Sequence, residues 1–178
     1  MEINNLMHNY KISFFCLALC VLSFSNCKKD SKTTDPIVPE PDNTWALSDF
    51  EQAKFTTFTV GSSSHYDFNI NQKGLLFKDA KTGSKANLYI LFKTIPTTAG
   101  TYKIVRYSND TFENDNECKV IGANESGSGF YCFSPDVSDK IEITVKQGGK
   151  LAITIPEINV SYAAPSGVYK LKATVYEK

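Results

Sequence analysis

Apolar and polar residues alternate one by one along several stretches of this chain. The alternation covers residues 66–71, 141–146 and 169–175. A period of two sends the apolar side chains to one face of an extended segment, so each stretch is predicted to be a half-buried β-strand. Residues 88–92 (LYILF) are apolar at every position. We therefore expect a central strand there, covered on both faces.

The composition of the chain after residue 27 agrees with a β-fold. It holds 35 Val, Ile and Thr residues, seven Leu and no Met. Stiff β-branched side chains favour pleated surfaces over helices. Strands recur about every 8–14 residues, which leaves no space for crossover helices. The sequence predicts an all-β domain, an antiparallel β-sandwich of about 8–10 strands, with a small β-barrel as the alternative.

One segment shows where a strand must be irregular. Between residues 151 and 162 the apolar positions are odd up to Ile155 and even from Ile158 onward. A shift of one residue would turn the second half of the strand outward, so a β-bulge at Pro156-Glu157 is predicted. In a sandwich, the strand could pass there from one sheet to the other.

The N-terminus has the features of an export signal. Residues 12–24 form an apolar run of 13 residues, shorter than the roughly 20 needed to span a bilayer and typical of a signal peptide. Small residues then lead to Cys27, although Phe24 and Asn26 depart from the usual lipobox. Either Met1 or Met7 could begin translation. The Cys with its following Lys-Lys-Asp resembles the signal of small Bacteroidota lipoproteins.

That resemblance implies an organisation and a location. Residues 1–26 would be the lipoprotein signal peptide, and Cys27 would carry palmitate or similar acyl chains as its lipid anchor. Residues 27–44 would be a disordered Pro-rich tether, and residues 45–178 a single β-sandwich domain. The expected place is the cell envelope, in the outer membrane, with display at the cell surface as one option. Such lipoproteins carry an immunoglobulin-like or similar β domain without an assigned molecular role.

A repeated motif fits that kind of domain. Gly-x-Tyr-Lys-aliphatic occurs at residues 100–104 and again at residues 167–171. A Tyr that packs at the start of a strand is similar to the tyrosine corner of immunoglobulin-like sandwiches.

Two cysteines remain in the predicted domain, Cys118 and Cys132. Residues 117–122 and 129–134 flank a turn-rich loop. A hairpin centred on Glu125 would place the two cysteines opposite each other, close enough for a disulfide. Because an exported protein meets oxidising conditions, we predict that disulfide. Two free thiols or a metal pair are the alternatives, and no His lies nearby to complete a metal site.

Few residues suggest catalysis. Equal numbers of basic and acidic residues, 19 of each, argue against nucleic-acid binding. His65 stands beside Ser64 and Asp67, but neighbours on one strand point apart and cannot form a triad. The acidic residues 108–117 could offer oxygens to Ca²⁺, yet their spacing does not match an EF-hand, and a solvated loop is favoured. No cofactor motif is present.

The sequence therefore predicts a membrane-anchored, non-enzymatic domain that binds an envelope protein or a glycan. A carbohydrate-binding module is one alternative, because Tyr89, Tyr107 and Tyr131 could form an exposed aromatic face. The only Trp, Trp45, is expected to plug the core instead. A hydrolase whose carboxylates cannot be placed from sequence is the other alternative. No catalytic residue and no metal ligand is assigned.

Overall fold

The computed structural model describes residues 42–49, 54–162 and 167–178. All of them belong to one compact unit, Glu40–Lys178. The predicted signal peptide, the lipidation site at Cys27 and most of the predicted tether lie outside the described residues. Within the described ranges, no helix is long and apolar enough to cross a membrane.

The described residues contain ten strands and one short 3₁₀ turn, so the all-β prediction is confirmed. The first five strands are β1 (Thr44–Ser48), β2 (Phe55–Asn69), β3 (Gln72–Asp79), β4 (Asn87–Phe92) and β5 (Gly100–Ile104). The next five are β6 (Glu117–Ala123), β7 (Gly129–Tyr131), β8 (Lys140–Val145), β9 (Leu151–Tyr162) and β10 (Tyr169–Tyr176). The 3₁₀ turn, Gln147–Gly149, joins β8 to β9.

The strands close into a barrel and do not form the predicted sandwich. Nine strands make the ring β10-β1-β2-β3-β4-β6-β5-β8-β9, which closes because β9 also pairs with β10. The pairing of β5 with β6 is parallel and the other pairings are antiparallel, so the barrel is mixed. The alternative prediction of a small barrel is therefore the correct one. Local alternation is the same in both architectures and cannot distinguish them.

The space between β6 and β9 is filled by two segments, one formed by β5 and β8 and the other by β7. Near the start of these strands, β5 and β8 lie between them. Near their ends, the three-residue strand β7 pairs with both. As a result, every described strand has a hydrogen-bonded neighbour on each side.

The predicted irregularity of β9 is confirmed. Leu171 pairs with Ile158 and Ala173 with Ile155, so an advance of two residues along β10 corresponds to three residues along β9. The additional residue lies at Pro156-Glu157, and it returns Ile158 to the interior. The strand stays in one continuous sheet, so the suggested passage between two sheets does not occur.

The interior of the barrel is filled with aliphatic and aromatic side chains. Trp45 is 1% exposed and stacks on Phe58 with ring centroids 5.2 Å apart, as its predicted role in the core requires. The repeated tyrosines also pack inward. Tyr102 meets the ring of Phe92 at 5.5 Å, and Tyr169 meets that of Phe130 at 4.8 Å. The motif thus supplies core contacts, but in a barrel and not in an immunoglobulin-like sandwich.

Candidate functional site

A groove of about 940 Å³ runs across the outer face of β2, β3, β4, β6 and β7. We call it the tyrosine groove because four tyrosines line it: Tyr66, Tyr89, Tyr107 and Tyr131. The other lining residues are mixed apolar, small and charged: Phe68, Leu76, Lys78, Asp79, Ser84, Lys85, Asn87, Ile121, Ala123, Gly127 and Gly129.

Strand register places the floor of the groove. Leu76 pairs with Tyr89, Tyr89 with Ile121, and Ile121 with Tyr131. Directly paired residues point to the same face, so these four side chains form one row across four strands. Their inward-facing neighbours belong to the core. The groove therefore exists because these strands carry apolar residues on both faces.

The segment 105–116, which we call the strap, covers the lower part of this outer face. Val105 and Phe112 of the strap are buried against Leu91 and Ile121 in a second apolar cluster, separate from the barrel interior. Tyr107 also belongs to the strap and packs on this cluster. The strap therefore builds one wall of the groove.

Three buried polar side chains hold the strap in place. The Lys119 ammonium donates to the carbonyl oxygen of Asn109, and its Nζ lies 5.1 Å from the centre of the Phe112 ring. The Gln72 amide donates to the carbonyl oxygen of Asp110 at 2.8 Å. The third is Glu117 at the end of the strap. Each of these buried polar side chains thereby has a hydrogen-bond partner.

Glu117 works as the cap of the last turn of the strap. One of its carboxylate oxygens accepts from the backbone N–H of Glu113 at 2.8 Å, and the other accepts from the side-chain amide of Asn114 at 3.0 Å. Burial raises the pKa of Glu117, but these hydrogen bonds and the nearby charge of Lys103 outweigh burial and lower it below its ordinary value. For Lys119, burial lowers the pKa and the charge of Asp110 partly offsets that effect.

Two glycines make space for groove tyrosines. Gly74 is the cross-strand partner of Tyr66, and a Cβ added there would lie 2.3 Å from the Tyr66 ring. A Cβ at Gly129 would lie 2.6 Å from the hydroxyl of Tyr131. Both distances are below any normal contact. The tyrosines can therefore lie across the sheet only because these positions lack side chains.

The groove aromatics are arranged as two groups. The Tyr66 and Tyr89 rings meet edge to face at 5.7 Å. Tyr107 and Tyr131 lie closer, at 4.4 Å with the ring planes tilted by 40°, and Phe133 packs against both at about 6 Å. These contacts hold the rings in defined orientations.

The tyrosine hydroxyls differ in their surroundings. The hydroxyls of Tyr89, Tyr107 and Tyr131 form no hydrogen bond with the described part of the chain. The Tyr66 hydroxyl is buried and has no partner there. Burial, followed by the neighbouring Tyr89 and Tyr107, raises the pKa of Tyr66 far above its ordinary value. The groove therefore offers several polar atoms with unused hydrogen-bonding capacity.

The predicted disulfide is not seen. Gly122 pairs with Phe130 and Ala123 with Gly129, so the β6–β7 hairpin is centred on Ser126 and not on Glu125. This register removes the direct opposition of Cys118 and Cys132. Both cysteines are free thiols, fully buried in the barrel core. Burial raises the pKa of Cys118, with a further contribution from Cys132, and burial together with Asp139 raises that of Cys132 to about 12.

The other candidates from the sequence are accounted for by structural contacts. His65 Nε2 lies 2.5 Å from the Glu177 carboxylate on the barrel surface, away from the tyrosine groove. In the acidic segment, Asp115 pairs with Lys93 at 2.8 Å and Glu117 caps the strap. Within the described ranges, no group of three or more His, Cys, Asp or Glu side chains is placed to hold a metal ion.

Sequence reasoning named three of the four groove tyrosines. The structure brings Tyr89, Tyr107 and Tyr131 together in one groove, as the carbohydrate-binding alternative required. The sequence-based prediction did not include Tyr66, which was assigned to a half-buried strand face. The sequence feature that points to Tyr66 is Gly74, which leaves space for the tyrosine ring. That role can be recognised only when the β2–β3 register is known.

Comparison with protein-family models, with curated proteins and with solved structures finds no match to this chain. The site must therefore be judged on its own geometry.

Proposed function

We propose that this protein is a lipid-anchored envelope protein whose barrel domain binds carbohydrate in the tyrosine groove without catalysing a reaction. One observation carries the proposal: four tyrosines from four different parts of the chain line a single groove on the outer face of the barrel. The anchor at Cys27 and the place in the outer membrane rest on the sequence alone.

The chemistry of the groove suits a sugar. A pyranose ring presents C–H bonds on its faces and hydroxyls around its rim, so it needs flat apolar surfaces beside hydrogen-bonding groups. A tyrosine offers both in one side chain. The volume of about 940 Å³ is at the upper end of the range for small-ligand sites, about 300–1,000 Å³. A short oligosaccharide fits this size better than a single sugar.

The charged residues favour binding over hydrolysis. Glycoside hydrolysis normally uses two carboxyl groups that face each other across the scissile bond. Among the described residues that line the groove, Asp79 is the one carboxylate. This supports a binding module over the hydrolase alternative.

The test is affinity electrophoresis and calorimetry with a panel of soluble polysaccharides. We expect retention of the wild-type domain by at least one of them. The substitutions Tyr107→Ala and Tyr131→Ala should each weaken that binding about tenfold or more, because truncation of a central aromatic contact commonly costs over 1–2 kcal/mol. Tyr162→Ala is the matched control, since Tyr162 is 49% exposed and lies outside the groove.

Two results would contradict the proposal. One is a complete absence of polysaccharide binding by a folded wild-type protein. The other is equal weakening by the groove variants and by Tyr162→Ala. Capture of an envelope protein that is lost in the groove variants would instead favour an interaction domain.

The anchor is tested separately. Palmitate labelling of cells that express the wild type should yield a labelled band, and Cys27→Ser should abolish the label. A labelled Cys27→Ser protein would show that lipid attaches elsewhere, or that the predicted signal is wrong.

A further inference from the structure

The upper margin of the tyrosine groove carries two lysines that make no ion pair with the described residues. Lys78 follows Leu76 by two residues on β3, so both face the groove. Lys85 lies in the loop between β3 and β4 and also lines the groove. Neither ammonium group makes an ion pair with any described residue.

Two other lysines, in β3 and in the loop after it, are paired. Lys73 pairs with Asp67 at 2.7 Å, and Lys81 pairs with Glu125 at 2.9 Å. The chain as a whole has no net charge. The excess of positive charge at the groove is therefore local. With Asp79 as the one lining carboxylate, the groove carries two cationic side chains against one anionic side chain.

The two lysines are held at defined positions by their backbone. The N–H of Lys85 donates to the carbonyl oxygen of Glu125 at 3.1 Å, and the Lys81–Glu125 ion pair ties the same two loops together. Lys78 pairs in register with Asn87, whose side-chain amide donates to the carbonyl oxygen of Lys85 at 2.8 Å. The lysines thus flank one edge of a preformed groove.

We infer that the ligand of the tyrosine groove is an acidic glycan, whose carboxylate or sulfate groups bind between Lys78 and Lys85 while its sugar rings pack on the tyrosines. This inference rests on the proposed function and specifies its ligand class. An ammonium group is a compact point charge that pairs with a carboxylate or with a sulfate. The two lysines therefore indicate a negatively charged ligand and do not distinguish between these two acids. Charge complementarity at the margin would add to the aromatic contacts on the floor.

The experiment compares polymers that differ in one property at a time. Dextran and dextran sulfate share a backbone and differ in charge. Polygalacturonate carries carboxylates on sugar rings, and polyglutamate carries carboxylates without sugar rings. Binding of each to the purified protein is measured by calorimetry at about 50 mM and about 300 mM NaCl, since salt screens exposed charges.

The matched variants separate the two parts of the site. Lys78→Gln combined with Lys85→Gln removes the positive margin. Lys140→Gln combined with Lys150→Gln removes the same charge from exposed positions outside the groove. Tyr131→Ala removes an aromatic contact and keeps both lysines. Circular dichroism and thermal unfolding show that each variant is folded.

We expect an acidic polysaccharide to bind at least about tenfold more tightly than dextran at low salt, and high salt to weaken it. In the Lys78/Lys85 variant, the affinity for the acidic polysaccharide should fall about tenfold, so that the preference over dextran is lost. The Lys140/Lys150 control variant should keep the preference. Tyr131→Ala should weaken the binding of the acidic polysaccharide. Equal affinity for charged and neutral polysaccharides that still depends on Tyr131 would overturn the acidic ligand and leave the proposed function intact. Equal binding of polyglutamate, unaffected by Tyr131→Ala, would overturn both.

Discussion

The inner and outer faces of β4 and β6 both carry apolar side chains, yet the two faces end in different environments. Inside the barrel, Leu88, Ile90 and Val120 are fully buried in one closed core. Outside, Tyr89 is only half-buried, and Ile121 is covered by the strap and by tyrosine rings. The inner face is mainly aliphatic, whereas the outer face is lined with tyrosines whose hydroxyls lack protein partners. The first arrangement serves stability, and we propose that the second serves ligand binding.

This difference shows what a doubly apolar strand means in a small barrel. A strand buried on both faces usually lies between two layers of structure. Here the second layer is only the strap, which covers part of the outer face and leaves the rest as a groove. Incomplete coverage of an apolar face is therefore the origin of the candidate site. The predictions below test whether the two faces have separate roles.

The largest effect is expected from a core substitution on the inner face. Phe77→Ala removes a fully buried ring and leaves a cavity, so the free energy of unfolding should fall by about 3–5 kcal/mol. Phe68→Ala makes the same change at a side chain that is 45% exposed and should cost less than about 1 kcal/mol. Urea denaturation measures both. Similar losses at the two sites would refute the contrast between the faces.

A smaller effect is expected where the strap is capped. Glu117→Gln replaces a carboxylate that accepts three hydrogen bonds, so stability at neutral pH should fall by about 1.5–3 kcal/mol. The pKa of Glu117 is lowered in the folded protein, so its stabilisation is present above the ordinary value of 4.5 and disappears as the pH falls through the folded pKa. Wild type and variant should therefore converge below pH 4.5 in acid denaturation.

Asp42→Asn is a control for that pH effect, because Asp42 is an exposed carboxylate that does not belong to the strap. Its stability profile should follow the wild type. A constant difference between wild type and Glu117→Gln from neutral to acidic pH would contradict the role of the Glu117 charge.

A still smaller effect on stability is expected at the glycine beneath Tyr66. In Gly74→Ala the added methyl group would overlap the Tyr66 ring, so the ring must leave its place on β3. We expect a loss of about 1 kcal/mol in stability and a clear loss of ligand binding. Gly100→Ala is the matched control, since its new Cβ would meet Tyr102 at an ordinary 3.8 Å. Unchanged binding in Gly74→Ala would exclude Tyr66 from the site.

The smallest effect concerns the chemical reactivity of the two cysteine thiols, and it involves no substitution. The thiols of Cys118 and Cys132 are buried and have raised pKa values, so alkylation should be slow in the native protein and fast after unfolding. Peptide mapping by mass spectrometry identifies the labelled cysteines. A disulfide-linked peptide that contains both residues would contradict the free thiols and restore the pairing predicted from sequence.

The sequence was informative wherever a pattern is local. It located β4, β8 and β10, the buried Trp45 and the bulge at Pro156-Glu157, because side-chain periodicity and proline chemistry act within a few residues. It did not distinguish a barrel from a sandwich. That choice depends on whether β10 pairs with β1 as well as with β9, and the β1–β10 pairing is a contact between distant segments.

The candidate site was only partly predictable for the same reason. Three groove tyrosines could be named as aromatic residues, but their convergence depends on the strap and on strand register. The predicted disulfide is not seen, because a hairpin centred one residue further along removes the direct opposition of Cys118 and Cys132. A loop of small polar residues fixes its own centre weakly, so neither register could be preferred from composition.

Each described strand has a hydrogen-bonded neighbour on each side, but residues 61–69 of β2 extend past β1 and pair with β3 alone among the described residues. On its other side this segment carries a row of backbone N–H and C=O groups without a strand partner in the described part of the chain, and such a row can pair with an incoming extended chain. The side chains of the tyrosine groove lie on the outer face of the ring, so they can change by substitution while its backbone hydrogen bonds remain as they are.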